Sequence, residues 1–544
     1  MKLKILVIGL DAATMDLIKP WTDAGHLPGL ARLMQEGSYS NLLSTPNMHS
    51  ASAWTSILTG LNPGRHGLYV FSDRDFKTGQ QVFFKGGDRN AELITRHLAK
   101  QDITSGMLNV PMTYPAECSA GNFMISGLDA PSLNANCFCP AELCDELLRV
   151  VPDYHFTPKG LGDLMSAGRI GDAVQAWMRL IENQTVAAEY LLEKYQPDFF
   201  MTVHTASDWG GHNLWKYADP RHPEYDANSP HRDLLLSIYQ ALDKVITRLL
   251  RFTNEETQVY VISDHGMGLH SGASYHLADW LESKGYMRRT KAAEKRASLL
   301  SASRRAAKSI LPAKLKEKIK ASLGDERVKQ LQSADKDSFY SSIDWAQTTA
   351  YTEAGRHVIN INLEGRNQNG SVSQEQYAEI CNQLIADLHE WKDGNGNQVV
   401  ERVSRKDEVY HGDFATRASD LYIYWNRAAS LGEPPREVKA KGFWWSGDHR
   451  PEGILICKGK GIRAQRELNL SNVPQVYDLV PTILHLAGLP VPEGLDGRVL
   501  EEICMDNSAI RFEKSSQEAT TERSSLSEEE EKLIEEKLRA LGYL

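Results

Sequence analysis

The chain has 544 residues, 41% hydrophobic and 24% charged, and this composition excludes a wholly disordered or fibrous protein. Its formal net charge of −10 argues against a protein coated in nucleic acid, so we expect no nucleic-acid partner. The charge is uneven, because residues 284–329 carry 15 Lys and Arg against 4 Asp and Glu. This stretch therefore contributes +11 and the remainder of the chain −21.

Cysteine usage and hydropathy indicate a compartment. Seven cysteines are too few, and odd in number, for a secreted scaffold held by disulfides. Cys118, Cys137, Cys139 and Cys144 lie close together, but their spacing fits no standard zinc pattern, so buried or incidental thiols are predicted. The opening apolar run at residues 5–8 is too short for a signal-peptide core, and no stretch approaches the ~18 apolar residues of a membrane span. We expect a soluble cytoplasmic protein.

Short apolar runs that end in an acidic residue or a turn predict strands buried on both faces, as in a parallel sheet. These predicted strands cover residues 3–8, 199–203, 259–262 and 454–456. Apolar residues at helical spacing predict helices over residues 27–36, 173–195, 234–252 and 374–391. This alternation predicts a doubly wound α/β fold, whose ligand site lies outside the carboxyl ends of the strands.

The same pattern predicts three segments. An α/β catalytic domain comprises residues 1–280 and 345–505, with strand character resuming at 351–363. A basic helical insertion occupies residues 281–344, and a polar tail occupies 506–544 and ends in a charged helix over residues 528–541. Three roles stay open for the insertion: a lid over an anionic site, an amphipathic membrane-surface helix, or a solvated helical hairpin, which is the default.

Carboxylates and imidazoles recur where the predicted strands end. The candidates are Asp11 after the first strand, Asp208 and His212 after the second, Asp264 and His265 after the third, and His449 shortly before the last. Mixed carboxylate and imidazole ligands suit zinc or a similar divalent transition ion. Six such side chains are enough to hold two ions.

A short helix predicted over residues 51–59 carries the candidate nucleophiles. Ser50 stands at its N-terminus, where the helix dipole and a neighbouring metal ion would favour a deprotonated hydroxyl. Spacing alone does not separate Ser50 from Ser52, Thr55 and Ser56, and Ser50 could instead be only the N-cap of the helix.

These segments resemble the alkaline phosphatase superfamily and, within it, the type I phosphodiesterase/nucleotide pyrophosphatase family. That family has a nucleophilic Thr or Ser ten residues before the Gly of a Thr-Gly-Leu-x-Pro-x-x-His-Gly stretch. Residues 59–67 match the stretch, and Ser50 lies ten residues before Gly60. The family's metal ligands match, in chain order, Asp11, Asp208, His212, Asp264, His265 and His449. The resemblance covers roughly residues 1–275 and 345–500.

The resemblance implies a mostly parallel sheet of the alkaline-phosphatase type and a hydrolase with two divalent ions, zinc or, as the alternative, manganese. It implies two ligand sets: Asp11, Ser50, Asp264 and His265 for one ion, and Asp208, His212 and His449 for the other. Ser50 would attack the phosphorus of a small phosphorylated substrate and form a phosphoseryl intermediate. Two divalent ions, three carboxylates and a Ser50 alkoxide sum to about zero charge, which favours a singly charged diester or pyrophosphate over a dianionic monoester.

The chain departs from the family at one substrate contact. The nucleotide pyrophosphatases carry an Asn a few residues beyond the His-Gly that holds a phosphoryl oxygen, whereas the matching place here is near Phe71. A phenylalanine cannot donate that hydrogen bond, and Asn109 is the candidate that could supply it instead.

Other functions stay open for the same site. It could serve a phosphomonoesterase or a phosphonate-ester hydrolase, or a phosphosugar mutase-type isomerase, although the phosphate-transfer domain of such a mutase is not apparent. A non-catalytic phosphate-binding module is a further alternative. A sulfatase is disfavoured, because residues 50–54 lack the Pro and Arg that follow the reactive Cys or Ser of those enzymes.

Overall fold

The computed structural model describes residues 3–290, 339–432, 435, 445–468, 470–506, 508–514 and 526–541. The helices predicted inside the basic insertion therefore fall almost entirely outside the described residues. The two described ends of that insertion meet, because Arg289 and Ile343 form a β-bridge. Within the described ranges, no helix combines the length and the apolar character that a bilayer span requires.

The described residues contain nineteen β-strands. They are β1 (Ile5–Leu10), β2 (Ser38–Leu43), β3 (Ser72–Arg74), β4 (Gln81–Phe83), β5 (Ser105–Val110), β6 (Phe123–Ser126), β7 (Phe138–Cys139), β8 (Phe199–His204), β9 (Gln258–Ile262), β10 (Gly266–Leu269), β11 (Ala350–Tyr351), β12 (Val358–Ile361), β13 (Val400–Arg405), β14 (Leu421–Trp425), β15 (Gly447–Arg450), β16 (Glu452–Lys458), β17 (Arg466–Glu467), β18 (Val491–Pro492) and β19 (Phe512–Glu513).

The same residues contain fifteen α-helices. They are α1 (Met15–Asp23), α2 (Pro28–Glu36), α3 (Ser50–Thr59), α4 (Pro63–His66), α5 (Ile94–Ala99), α6 (Leu143–Val150), α7 (Leu161–Ser166), α8 (Ile170–Tyr195), α9 (Ala206–Ala218), α10 (Leu234–Leu249), α11 (Ala273–Lys284), α12 (Gln374–Glu390), α13 (Lys406–Val409), α14 (Leu479–Leu486) and α15 (Glu528–Leu541).

A nine-stranded sheet with the order β17-β2-β16-β9-β1-β8-β5-β6-β7 forms the centre of the molecule. Strand β1 pairs in parallel with β8 and β9, and β5 pairs in parallel with β8 and β6. The predicted doubly wound, mostly parallel sheet is therefore confirmed. Strand β16 differs from that pattern, because it runs antiparallel to both β2 and β9. The apolar run of β16 predicted a strand that is buried on both faces, and such burial does not depend on the direction of the strand.

Helices cover both faces of the central sheet. Alternate residues of β1 point to opposite sides: Leu6 and Ile8 belong to a core shared with α8, α9 and α10, while Ile5 and Val7 belong to a core shared with α3 and α14. At Gly9 a Cβ would lie 2.4 Å from the indole ring of Trp54, so glycine lets α3 approach the end of β1. This close approach brings the candidate nucleophile helix to the carboxyl edge of the sheet.

A second, separate core lies beside the central sheet. It contains the antiparallel sheet β11-β12-β14-β13 together with α11 and α12. We call residues 273–290 and 339–432 the small subdomain. The strand character predicted for residues 351–363 corresponds here to β11 and β12, which are joined by a turn. The boundaries predicted for the domains stay a prediction.

A two-stranded antiparallel ribbon links the two regions. It pairs β10, which follows His265, with β15, which contains His449, so that Met267 lies opposite His449. The ribbon therefore carries ligand candidates from both predicted sets on neighbouring strands.

The C-terminal helix α15 has the predicted bounds and packs on the central region. Its residues Ile534, Leu538 and Leu541 are buried in the same core as α8 and α10. The predicted charged helix is therefore also amphipathic, with one apolar face against the catalytic region.

Two of the four clustered cysteines are joined, which contradicts the prediction of four buried or incidental thiols. Cys118 and Cys139 form a disulfide, whereas Cys137 and Cys144 are free. Strand β7, which contains Cys139, pairs with β6, and this pairing brings Cys139 back to the loop that precedes β6. The predicted cytoplasmic location stays a prediction.

Candidate metal centre

Three parallel strands deliver three carboxylates to one edge of the central sheet. Asp11 follows β1, Asp264 follows β9, and Asp208 lies in the first turn of α9, which begins directly after β8. Since β1 lies between β8 and β9, all three side chains gather around its carboxyl end. All three are at most 2% exposed, so the protein holds them away from water.

The first ligand group contains Asp11, Asp264 and His265, whose ligand atoms lie within 4.8 Å of one another. His265 Nε2 is 3.3 Å from Asp264 Oδ2 and 3.8 Å from Asp11 Oδ1. Each of the three side chains is fully buried. Such a set of oxygen and nitrogen atoms is a donor set for zinc.

Ser50 adjoins this first group. Its Oγ lies 3.4 Å from Asp11 Oδ1 and 3.2 Å from His265 Nε2. The N-cap of α3 is His49, whose Nδ1 accepts the Ala51 N–H at 3.2 Å, so Ser50 is the first residue of the helix and not its cap. The hydroxyl is thus directed at the ligand atoms.

Geometry separates Ser50 from the other three candidate hydroxyls of α3, which spacing could not do. The others bond within their own surroundings: Ser52 to Asn47 Oδ1, Thr55 to the Ala51 carbonyl, and Ser56 to His66 Nε2. Their bonding leaves Ser50 as the hydroxyl that adjoins the carboxylates.

The second ligand group contains Asp208, His212 and His449. Asp208 and His212 are one turn apart on α9, and His212 Nε2 lies 3.3 Å from Asp208 Oδ1. His449 Nε2 lies 3.2 Å from the same carboxylate oxygen and 2.9 Å from His212 Nε2. The His265 and His449 rings are 3.8 Å apart between centroids, so the two groups are neighbours.

Backbone carbonyls fix the tautomers of all three histidines. The Nδ1–H groups donate to the carbonyls of Gly447 (from His212, 3.0 Å), Gly266 (from His265, 3.1 Å) and Met48 (from His449, 2.7 Å). A neutral imidazole with a proton on Nδ1 presents a lone pair at Nε2. The lone pairs of His212 and His449 therefore point at each other and at Asp208 Oδ1, an arrangement that a cation between them stabilises.

The electrostatics of the first group also favour a bound cation. Burial, followed by the nearby charges of Asp264 and Asp208, raises the pKa of Asp11 well above its usual value. Burial raises the pKa of Asp264 to about 7, with Asp208 adding to the effect and the Ala12 N–H opposing it. Asp264 Oδ2 has no hydrogen-bond partner among the described residues. Clustered, buried carboxylates with an unpartnered oxygen fit a bound divalent cation, which offsets their mutual repulsion.

Some supporting residues could not be singled out from the sequence. Trp54 donates its indole N–H to Asp11 Oδ2 at 3.1 Å, and Trp445 stacks on His212 with ring centroids 3.9 Å apart. Trp54 did carry one signal, because it follows Ser50 by four residues and so lies on the same face of the helix. The contact of Trp445 with His212 and that of the Met48 carbonyl with His449 carried none, since each joins residues that are far apart in the chain.

Asn109 lies near this edge but outside both groups. It stands at the end of β5, the strand next to β8, with the positive φ of 60°. Its Oδ1 accepts the Tyr154 hydroxyl, and its Nδ2 has no hydrogen-bond partner among the described residues. Phe71, in the place where the family has its Asn, packs edge-on against His49 at 5.1 Å between ring centroids. Asn109 therefore offers a buried, unpaired N–H donor that Phe71 cannot.

Comparisons with known proteins identify the family and the fold. A family model for type I phosphodiesterase / nucleotide pyrophosphatase matches residues 5–449. A search of the curated proteins finds no match.

Solved structures share the fold at low sequence identity. The structure of phosphonoacetate hydrolase from Sinorhizobium meliloti 1021 in complex with phosphonoformate has a TM-score of 0.51 and 15% identity, over 88% of this chain and 94% of that one. A mutant of the alkaline phosphatase PafA has a TM-score of 0.52 and 13% identity, over 93% of this chain and 99% of that one. These similarities show the alkaline-phosphatase-like fold. The family match over most of the sequence shows more: the chain belongs to the type I phosphodiesterase/nucleotide pyrophosphatase family and is a hydrolase of phosphoric ester or anhydride bonds.

Proposed function

We propose that the chain hydrolyses phosphoric diesters or pyrophosphates at a two-metal site with Ser50 as the nucleophile. One observation carries the proposal: two imidazole lone pairs and a carboxylate converge in the second group, next to a hydroxyl held among the buried carboxylates of the first. This arrangement provides two adjacent cation sites and a nucleophile at the edge of one of them.

Two divalent ions, for which zinc suits the mixed carboxylate and imidazole donors best, would stabilise the Ser50 oxyanion and the charge that develops on the leaving oxygen. Asp11, Asp264 and His265, with Ser50, would hold one ion. Asp208, His212 and His449 would hold the other. The family assignment supports metal dependence, and the identity of the ions is part of the proposal.

The residues of the chain act in two displacements. Ser50 gives its proton to solvent water, and its Oγ forms a bond to phosphorus while the bond from phosphorus to the leaving oxygen breaks; the leaving oxygen takes a proton from solvent water. A second water molecule then gives up a proton and forms a bond to the phosphorus of the phosphoserine, the bond between Oγ and phosphorus breaks, and Oγ takes up a proton. The dipole of α3 stabilises the negative charge on Ser50 during both displacements, because Ser50 is its first residue.

The substrate class follows from charge and from the donors available. Three carboxylates offset most of the charge of two divalent ions, and this favours a phosphodiester or pyrophosphate with one negative charge at the reacting phosphorus. Phe71 provides no hydrogen bond to a phosphoryl oxygen, and we assign that contact to the unpaired amide of Asn109. Trp445, which stacks on His212, stands beside the second group and would contact a substrate bound there.

The test combines metal analysis with a panel of substrates on one protein sample. We expect about two equivalents of a divalent metal per chain and faster turnover of bis-(p-nitrophenyl) phosphate than of p-nitrophenyl phosphate. Ser50→Ala should abolish turnover, and at saturating zinc it should still bind about two equivalents because Asp11, Asp264 and His265 remain to hold the first ion. Ser52→Ala is the matched control and should retain activity. A protein without metal, or an active Ser50→Ala variant, would contradict the proposal. A preference for monoesters or phosphonate esters would keep the site and replace the substrate class.

A further inference from the structure

The small subdomain contacts the strand that carries His449 from two sides, and this suggests a role for it in the metal centre. The inference rests on the proposed two-ion site, of which His449 is a ligand. It concerns residues outside both ligand groups.

The first contact passes through Asp448, the neighbour of His449 on β15. Asp448 is 2% exposed, and its Oδ1 accepts the His449 N–H at 3.0 Å and the His357 Nε2–H at 3.0 Å. His357 immediately precedes strand β12 of the small subdomain. A single carboxylate oxygen therefore joins the backbone of a ligand residue to the small subdomain.

The histidines around Asp448 act as donors and not as metal ligands. Trp425 donates its indole N–H to His357 Nδ1 at 2.9 Å, so that His357 carries its proton on Nε2 and directs it at Asp448. The Gly272 N–H donates to His270 Nδ1 at 2.8 Å, so that His270 also directs an Nε2 proton towards Asp448, at 3.7 Å from Oδ2. Two N–H groups that converge on a carboxylate hold an anion and leave no lone pair for a cation.

The second contact passes through Met48. Its carbonyl accepts the Nδ1–H of His449 at 2.7 Å, the bond that turns the His449 lone pair towards Asp208. The Met48 side chain is 3% exposed and packs with Tyr410, Tyr422 and Tyr424 of the small subdomain. Met48 has a positive φ of 48°, an unusual conformation for methionine, and the tertiary packing around it maintains that conformation.

We propose that the small subdomain is a clamp that positions His449 for the second ion. His357 fixes the backbone of His449 through Asp448, and the tyrosine cluster fixes its ring through Met48. Both are positioning contacts, since neither His357 nor the tyrosines would touch the ion. The loss of either contact should weaken binding of the second ion and spare the first.

The first ligand group provides the internal comparison. The hydrogen bonds that position its carboxylates come from the central region: Trp54 of α3 donates to Asp11, and the Ala12 N–H donates to Asp264 Oδ1 at 3.1 Å. A change in the small subdomain that acts through His449 should therefore separate the two affinities. A change that merely loosens the fold should not.

The experiment measures two zinc dissociation constants on the full chain, by competition with a chromophoric chelator after metal removal. His449→Gln, which leaves only the first group intact, identifies the constant that belongs to the first ion. We expect His357→Phe to lower the affinity for the second ion by about 10- to 100-fold, as is usual when an outer partner of a metal ligand is lost. The affinity for the first ion should change by less than about threefold. His357→Gln keeps a donor and should restore most of the affinity.

Three further variants test the clamp. Met48→Ala keeps the carbonyl but removes the contact with the tyrosines. It should also lower the affinity for the second ion and leave the affinity for the first unchanged. His389→Phe, on the exposed side of α12, is the matched control and should change neither constant. If His357→Phe does not fold, Trp425→Phe removes the bond that fixes the His357 tautomer and should have the same effect.

The outcomes separate this inference from the proposed function. Unchanged affinities in His357→Phe, with only a lower melting temperature, would overturn the clamp and leave a purely structural contact. An equal loss at both ions would overturn it as well. A wild-type chain that binds no zinc would instead contradict the two-metal proposal itself.

Discussion

The two ligand groups are neighbours, yet different parts of the molecule build them. In the first group, Asp11 and Asp264 leave adjacent parallel strands, and α3 of the same region braces them. In the second, His449 comes from a ribbon outside the central sheet and is contacted by the small subdomain. The first group is thus a property of the sheet, whereas the second depends on how two regions dock. The difference suggests separate ways of disabling the two ions.

Removal of one ligand from each group should give the largest effect and the sharpest contrast. Asp264→Asn and His449→Gln should each lower turnover by roughly 10⁴-fold, because both ions stabilise the same displacement. The metal-free proteins should differ, since Asp264→Asn removes a buried charge that repels Asp11, whereas His449→Gln does not. We expect a higher melting temperature for metal-free Asp264→Asn than for metal-free wild type. Equal melting temperatures would show that the carboxylates do not strain the metal-free site.

Acid should destabilise the region next to α3 through His66. Its Nδ1 accepts the Leu68 N–H at 3.2 Å, so Nε2 carries the proton and donates to Ser56 Oγ at 3.0 Å. Burial lowers the pKa of His66 to about 3, against the opposing charge of Asp496 and with a small addition from Arg89. The unfolded chain gains this proton near pH 6.5 and the folded chain only near pH 3. Stability is therefore present above pH 6.5 and lost as the pH falls, by at most about 5 kcal/mol.

Melting temperatures of metal-free protein at pH 7.5 and 4.5 measure this loss. His66→Gln keeps a hydrogen-bonding side chain that does not titrate, so it should lose less stability than wild type over this interval. Other groups titrate in both proteins, and the difference between the two isolates His66. A wild type that loses no more than His66→Gln would show that His66 is already charged in the folded state.

The contrast between the groups also explains what the sequence could predict. Asp11, Asp208 and Asp264 follow apolar runs, and the rule that parallel strands share a carboxyl edge was enough to bring them together. The start of α12 followed from apolar periodicity, and the bounds of α15 agree with the charged helix predicted over residues 528–541. Ser50 could not be separated from Ser52 on spacing, because direction within one helical turn depends on the packing of α3 against β1.

Contacts between distant segments were beyond sequence reasoning. The Met48 carbonyl and His357 lie about 400 and 90 residues from His449 in the chain, and no local pattern relates them. The disulfide between Cys118 and Cys139 was missed because the pairing of β7 with β6 brings the two residues together only in the folded sheet. Sequence patterns thus predicted the ligands of both groups, whereas the contacts that position those ligands became apparent only in the folded chain.

Trp54→Phe should lower the affinity for the first ion, whereas the small-subdomain variants lower the affinity for the second. The effect should be smaller than that of removing a ligand. The substitution removes the N–H that holds Asp11 Oδ2 at 3.1 Å, so the first ion should bind about 10-fold more weakly. The second ion should be unaffected, and the effects of Trp54→Phe and His357→Phe on the two constants should add. The two zinc constants measured by chelator competition test this. A lower affinity for the second ion in Trp54→Phe would remove the distinction between the groups, because it would show that α3 positions the ligands of both.

The smallest effects should come from Asn109 and Tyr154, which belong to the central region but to neither ligand group. If the unpaired Nδ2 of Asn109 donates to a phosphoryl oxygen, Asn109→Ala should raise KM or lower kcat by about 10-fold, the range for a hydrogen bond to a charged group. Tyr154→Phe removes the hydroxyl that orients this amide and should cost less, about threefold, because the amide can still reach the substrate in one of its two orientations. Both zinc affinities should stay at their wild-type values in each variant, which distinguishes a substrate contact from a residue that positions the ligands of either ion. A loss of zinc affinity in Asn109→Ala would instead assign Asn109 to the second group, since β5 is the neighbour of the strand that leads to Asp208.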